Sequence, residues 1–185
     1  MKITLFGLAG TGTSTIGRML SKKLDHEFTS SGNMFRQFAT DNGMTMEEAD
    51  VYMKTKPETH YKIDDYIKKY GKEKESFIID SRMAWYFIPD SIKIKLACDD
   101  DVRFKRISDS SVSGRIAYKK EDFEKTKEKT LKRQRDHQEV ITELYGVKNM
   151  NDDRHFDIVI DTTCIAPQKV ISRVLEYIEK LDSSE

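Results

Sequence analysis

Gly7-Leu8-Ala9-Gly10-Thr11-Gly12-Thr13-Ser14-Thr15 is the stretch with the clearest chemical capacity. Three glycines in six positions let a backbone curl and turn its N–H groups to one side, which a polyphosphate needs of a peptide. Gly7 and Gly12 have the spacing of a phosphate-binding loop of the form G-x-x-x-x-G-K-[ST], and Ser14 supplies the hydroxyl such loops offer to magnesium. The lysine position holds Thr13, so a mobile cation for the phosphates must come from elsewhere in the chain. A glycine-rich turn that binds nothing is the plain alternative.

The other residues able to handle an anion are scattered. Arg36 follows a short candidate strand, and Asp80-Ser81-Arg82 closes a second one. Two guanidiniums beside neighbouring strand ends repel unless an anion lies between them. A carboxylate at a strand end, here Asp80, can hold magnesium through water or cap the next turn. Arg36 is on position alone equally a solvated helix arginine. Arg103 and Arg106 are three apart and share a helix face, whereas Arg133 and Arg135 are two apart and point to different sides. His26, His60, His137 and His155 lack ligand spacing, so neither a zinc site nor a Ser-His-Asp arrangement is expected.

These groups need a scaffold, and the apolar pattern supplies one. Lys2 to Phe6, Glu27 to Thr29, Glu75 to Asp80, Ser91 to Cys98 and Phe156 to Ile160 are strand candidates, with helices between them. That alternation predicts an α/β fold, a five-stranded parallel sheet flanked by helices, with ligands at the carboxyl ends of the strands. Helices are expected over Ile16 to Leu24, Met34 to Asn42 (capped by Ser31 or Asn33, with Arg36 in its first turn), Thr45 to Lys54 behind a Thr45/Glu48 capping box, and Glu58 to Tyr70. Pro57 would open the last of these and Gly71 would stop it. Trp85, Tyr86 and Phe87 suit core and cleft wall. Helices follow over Val102 to Asp109, Lys120 to Tyr145 and Pro167 to Leu181. The second of these is almost wholly charged, with Glu121/Lys125, Glu128/Lys132 and Lys132/Asp136 at bridging distance, so it is either a solvated face or a poorly anchored mobile element. Ser108 to Gly114 is a candidate hinge before it, with Arg115 on the far side.

A chain of 185 residues suits one domain, with residues 31–71 as a helical insertion and 108–145 as an appendage on a core of 1–30, 72–107 and 146–185. Charged residues make up 35% at a net charge of +0, so the chain as a whole is not drawn to nucleic acid or to an anionic membrane. Cys98 and Cys164, far apart, suit reduced thiols in the cytoplasm, and Met1-Lys2-Ile3 runs straight into a strand with no room for a signal peptide. A monomer with small-molecule partners is expected.

Taken in order, the glycine loop, Ser31-Gly32-Asn33-Met34-Phe35-Arg36, Asp80-Ser81-Arg82-Met83-Ala84-Trp85, Val102-Arg103-Phe104-Lys105-Arg106-Ile107, Tyr145-Gly146-Val147 and Phe156 to Thr162 resemble the archaeal-type cytidylate kinases, a branch of the P-loop nucleoside monophosphate kinases. The resemblance covers nearly the whole chain, and that family often has threonine in the lysine position. It implies Mg2+-assisted transfer of phosphate from ATP to CMP and dCMP. It assigns Gly10, Thr11, Gly12, Thr13, Ser14 and Thr15 to the ATP phosphates and Arg103 and Arg106 to the nucleotide site, and Gly7, Leu8 and Ala9 complete the expected cofactor-binding loop. It gives Arg36 and Arg82 to the acceptor phosphate and Arg133 and Arg135 to a lid; on the residues themselves Ser14 is expected to ligate magnesium and Asp80 to hold its water. Ser81 replaces the family's glycine before the second arginine, and Ala84-Trp85-Tyr86 follows only part of its Ala-Gly-Trp. The open alternatives are a related kinase acting on AMP, UMP or a small alcohol, and a module that binds nucleotide without transfer.

Overall fold

The computed structural model describes residues 1–55, 58–110 and 123–183. Pro57, the segment 111–114 of the candidate hinge, Arg115, and the Lys120–Glu121 start of the long charged helix lie outside them. Among the described residues five strands form one sheet in the order β2-β3-β1-β4-β5. They are β1 (Lys2–Gly7), β2 (Phe28–Ser30), β3 (Phe77–Asp80), β4 (Ile92–Ala97) and β5 (Ile158–Asp161). Parallel pairing sets Leu5 and Ser30 level with Asp80, so the ends of β1, β2 and β3 share one edge. Ile3, Leu5, Phe77, Ile78 and Ile79 are fully buried, as strands covered on both faces require. The five-stranded parallel α/β fold expected from the sequence is the one observed.

By internal contacts the chain divides into two units. The first comprises Met1–Phe6 and Gly17–Ile94. Its helices are most of α1 (Thr13–Leu24), α2 (Ser31–Asp41), α3 (Met46–Thr55), α4 (Glu58–Glu73) and the one-turn α5 (Ala84–Phe87). Ile67, Tyr70, Phe77, Ile79, Ala84 and Ile88 form one core cluster, and Phe35, Ala39, Ala49 and Met53 a second between α2 and α3. The Thr45/Glu48 capping box is present: the Thr45 hydroxyl accepts the Glu48 N–H at 3.1 Å and the Glu48 carboxylate accepts the Thr45 N–H at 2.7 Å. Those bonds hold the Glu48 carboxyl below its ordinary range.

Several local expectations are corrected here. Ser30, still extended at φ −148°, caps α2 by accepting the Asn33 N–H, so neither Ser31 nor Asn33 is the cap and Arg36 stands in the second turn. Gly71 does not end α4, which continues to Glu73. It lies inside the helix because a Cβ there would come within 2.7 Å of the Ile88 side chain, so its small size serves close packing. The residues after Arg82 coil into α5 because Trp85 is held by a bond from its Nε1 to the Arg82 carbonyl at 2.9 Å.

The second unit comprises Gly7–Ile16 and Lys95–Glu185, and holds α6 (Asp100–Ser110), α7 (Phe123–Tyr145) and α8 (Pro167–Asp182). Val170, Ile171, Val174 and Ile178 bury one stripe of α8. In α7 Ile141 alone is buried, in keeping with its charged sequence. Lys95 is buried in β4 and donates to the Asn151 carbonyl and, at 2.6 Å, to Asp153, whose 3-10 turn Asp153–His155 delays the last strand to Ile158. Cys98 and Cys164 are free thiols, and no helix among the described residues is long and apolar enough to cross a membrane.

Candidate active site

Leu8 to Gly12 connects β1 to α1, the strand-loop-helix setting that the glycine pattern requires. The turn closes on itself through Thr11 N–H to Leu8 O at 3.1 Å, and α1 starts with Thr15 and Ile16 donating to Gly12 O at 2.9 and 3.0 Å. Gly10 and Gly12 have φ of +89° and +98°, a region that L side chains rarely enter. A Cβ on Gly10 would stand 2.3 Å from the Arg103 carbonyl oxygen, so that glycine is needed for close approach as well. A Cβ on Gly12 would meet nothing within 4 Å, which leaves an open face at the helix start. The Gly10 and Gly12 N–H groups have no acceptor among the described residues. Unpaired amides on a helix N-terminus form a cradle for a polyphosphate, and these residues fit one. Thr13, the first residue of α1, turns its methyl group toward Gly7, while the Thr11 hydroxyl is buried without a protein partner among the described residues.

The loop carbonyls are engaged from behind. Arg103, 1% exposed, donates from Nη1 to Ala9 O at 3.4 Å, from Nε to Asp100 at 2.7 Å and from Nη2 to Gln134 Oε1 at 3.4 Å. Its guanidinium also stands 4.0 Å from the Phe104 ring centroid. Thr162, just past β5, has its hydroxyl 3.0 Å from Thr11 O. Arg106 donates to Thr162 O at 2.7 Å, Thr162 Oγ1 at 3.2 Å, Thr163 O at 3.3 Å and Cys98 Sγ at 3.4 Å. The structure thus engages both α6 arginines with protein acceptors beside or near the loop. Next to them Thr163 donates its hydroxyl (2.6 Å) and its N–H (2.8 Å) to Asp161, which holds that carboxyl below the usual carboxylate range.

In the first unit, α2 and the Asp80-Ser81-Arg82 segment start from neighbouring strand ends. The Arg36 guanidinium folds back along α2, 3.7 Å from where a Gly32 Cβ would stand, and donates to Asn33 Oδ1. Asp80 and Arg82 are half-buried. Ser81 is buried: its N–H donates to Leu5 O at 3.1 Å and its hydroxyl accepts the Met83 N–H at 3.3 Å, a role glycine would leave undone. Arg133 and Arg135 are exposed on α7, where Arg135 lines a cavity of about 330 Å³ with Gln134, Gln138 and Lys148. The sequence reading missed Thr162. Its one legible signal was position, at the carboxyl end of a strand where ligands to such sheets gather.

Residues 3–130 match the AAA domain family. A cytidylate kinase of Methanothermobacter thermautotrophicus is 32% identical over 162 residues, covering 88% of this chain and 95% of that protein. An S-adenosylmethionine-dependent nucleotide dehydratase of Lacinutrix mariniflava is 33% identical over 180 residues, covering 97% of this chain, which spans 36% of that longer protein. Among solved structures, a shikimate kinase from Aquifex aeolicus matches over 100% of both chains with a TM-score of 0.59 at 16% identity, a likeness of fold.

Proposed function

From the premise that this chain belongs to the archaeal-type cytidylate kinases within the AAA domain family, and so is a nucleoside monophosphate kinase, we propose that it moves the γ-phosphate of ATP to CMP and dCMP. One observation carries the donor side of this reading: Gly10 and Gly12 amides without an acceptor among the described residues, at left-handed glycines, just before the N-terminus of α1. A backbone cradle grips phosphate regardless of base, so it fits a nucleoside triphosphate.

Phosphoryl transfer asks the protein for in-line positioning, charge neutralisation and exclusion of water, with little covalent help. The loop amides hold the donor phosphates. Ser14, the second residue of α1, and Asp80, at the end of β3, are assigned to Mg2+, Ser14 directly and Asp80 through water. The bound ion would neutralise charge on the β- and γ-phosphates. Arg36 and Arg82 clamp the acceptor phosphate, and Arg133 and Arg135 supply charge that Thr13 cannot. Residues 31–71 are then the acceptor-binding insertion and 108–145 the lid. The like stretch within a nucleotide dehydratase favours a nucleotide acceptor over a small alcohol.

The test is ADP release with CMP, dCMP, UMP and AMP in turn, and with no acceptor. Fastest turnover on CMP is the expected result. A preference for AMP, UMP or a non-nucleotide alcohol would replace the acceptor assignment. ATP binding without ADP formation on any of them would make the protein a nucleotide-binding module.

A further inference from the structure

We infer that Thr162 is a positioning residue for the donor site, aiming the Gly12 amide into the phosphate cradle through the Thr11 carbonyl. The reasoning starts from one proton. A threonine hydroxyl donates once and accepts twice. Thr162 Oγ1 lies 3.0 Å from both Thr11 O and Ala97 O, and accepts from Arg106 Nη1 at 3.2 Å. Arg106 has only protons to give, so it takes an acceptor site of the hydroxyl and leaves the single proton for one of the carbonyls. Ala97 O is already satisfied by the Thr162 N–H at 2.8 Å. Thr11 O accepts no other bond among the described residues, and it is in a buried contact, where an unmet carbonyl is costly. The proton therefore goes to Thr11.

The consequence follows from peptide geometry. The Thr11 carbonyl and the Gly12 N–H belong to one planar trans unit and point in opposite directions. A hydroxyl that fixes the carbonyl on one side thereby fixes the amide on the other. At φ +98° and without a side chain, Gly12 has little of its own to stop that plane from turning. Arg103 does the same, at a longer 3.4 Å, for the Ala9–Gly10 plane. The Gly10 and Gly12 amides, either side of Thr11, are thus each set by a buried side chain more than ninety residues further along the sequence. Thr162 itself is 4% exposed, and its role is exerted through Thr11.

The inference rests on the reading of the loop as an ATP site, and the experiment separates the two. ATP with Mg2+ is titrated calorimetrically into the wild type, Thr162→Val and Thr162→Ser, and steady-state KM for ATP and for CMP is measured on each. Thr162→Val keeps the shape and deletes the hydroxyl; Thr162→Ser keeps the hydroxyl and deletes the methyl. The expected result is ATP Kd and KM raised about tenfold in the valine variant, KM for CMP unchanged, and near wild-type ATP values for serine. Equal ATP affinity in wild type and valine variant, or equal losses in valine and serine variants, overturns the positioning role. No ATP binding by the wild type would instead overturn the donor-site reading. Should valine prevent cooperative unfolding, Thr162→Ala leaves room in the same place and is read against serine in the same way.

Discussion

The loop of Gly7 to Ile16 and the pair Arg36 and Arg82, the two groups proposed to meet phosphate, are built differently. The loop presents backbone. Its amides are aimed by left-handed glycines and by buried Arg103 and Thr162, which hold its carbonyls. The other side presents long side chains, with Arg36 exposed on α2 and folded back over Gly32. Backbone recognition reads phosphate and is indifferent to what the phosphate is attached to. Side-chain recognition can be retuned by single substitutions, so under the proposed function selectivity among acceptors would belong there. Ser81, where the family's pattern has glycine, shows such local change: it organises the turn into α5 directly beside Arg82.

The contrast can be broken most sharply on the arginine side. Arg82→Ala or Arg36→Ala is expected to lower kcat/KM for CMP about 10³-fold, roughly 4 kcal/mol in the barrier, with ATP affinity retained. Unchanged CMP turnover in either variant removes that residue from the clamp. On the loop side, Gly10→Ala should cost about 2–3 kcal/mol of stability, because positive φ and the Arg103 carbonyl at 2.3 Å act together. Gly12→Ala meets strain without a neighbour, so its melting temperature should fall less while ATP affinity still drops. Equal melting temperatures for the two variants would deny Arg103 its part in shaping the loop. The smallest effect is in acid. Thr163, with smaller pulls from Arg106 and Arg173, depresses the Asp161 carboxyl, so the stabilisation is full above the unfolded value of about 3.9 and fades as pH falls through the lower folded value. Asp161→Asn should flatten the loss of melting temperature below about pH 4.

Much of this is legible in the sequence. The strand-loop-helix opening, the parallel sheet, the capping box and the amphipathic last helix all follow from local pattern, where a few adjacent residues decide the outcome. What stayed hidden was decided by partners far away in sequence. Gly71 looks like a helix stop because glycine often is one; only Ile88 against its Cα reveals a packing contact. Ser30 takes the cap expected of Ser31 or Asn33, since β2 holds the chain extended through Ser30. Arg103 and Arg106 share a face as their spacing requires. Their bonds to Ala9 and Thr162, however, depend on which strand end lies beside α6, and spacing carries no such information.

The bond from Thr162 to Thr11 joins residues 151 apart. A nascent chain therefore displays the entire glycine motif long before the bond that sets the proposed phosphate cradle can form. Until the last strand has cleared the ribosome and docked, the loop's Thr11–Gly12 peptide is free to rotate. If the loop is the ATP site proposed above, ATP, abundant around every translating ribosome, would then bind finished chains about tenfold more tightly than chains still lacking that strand, and so would favour completed molecules over fragments.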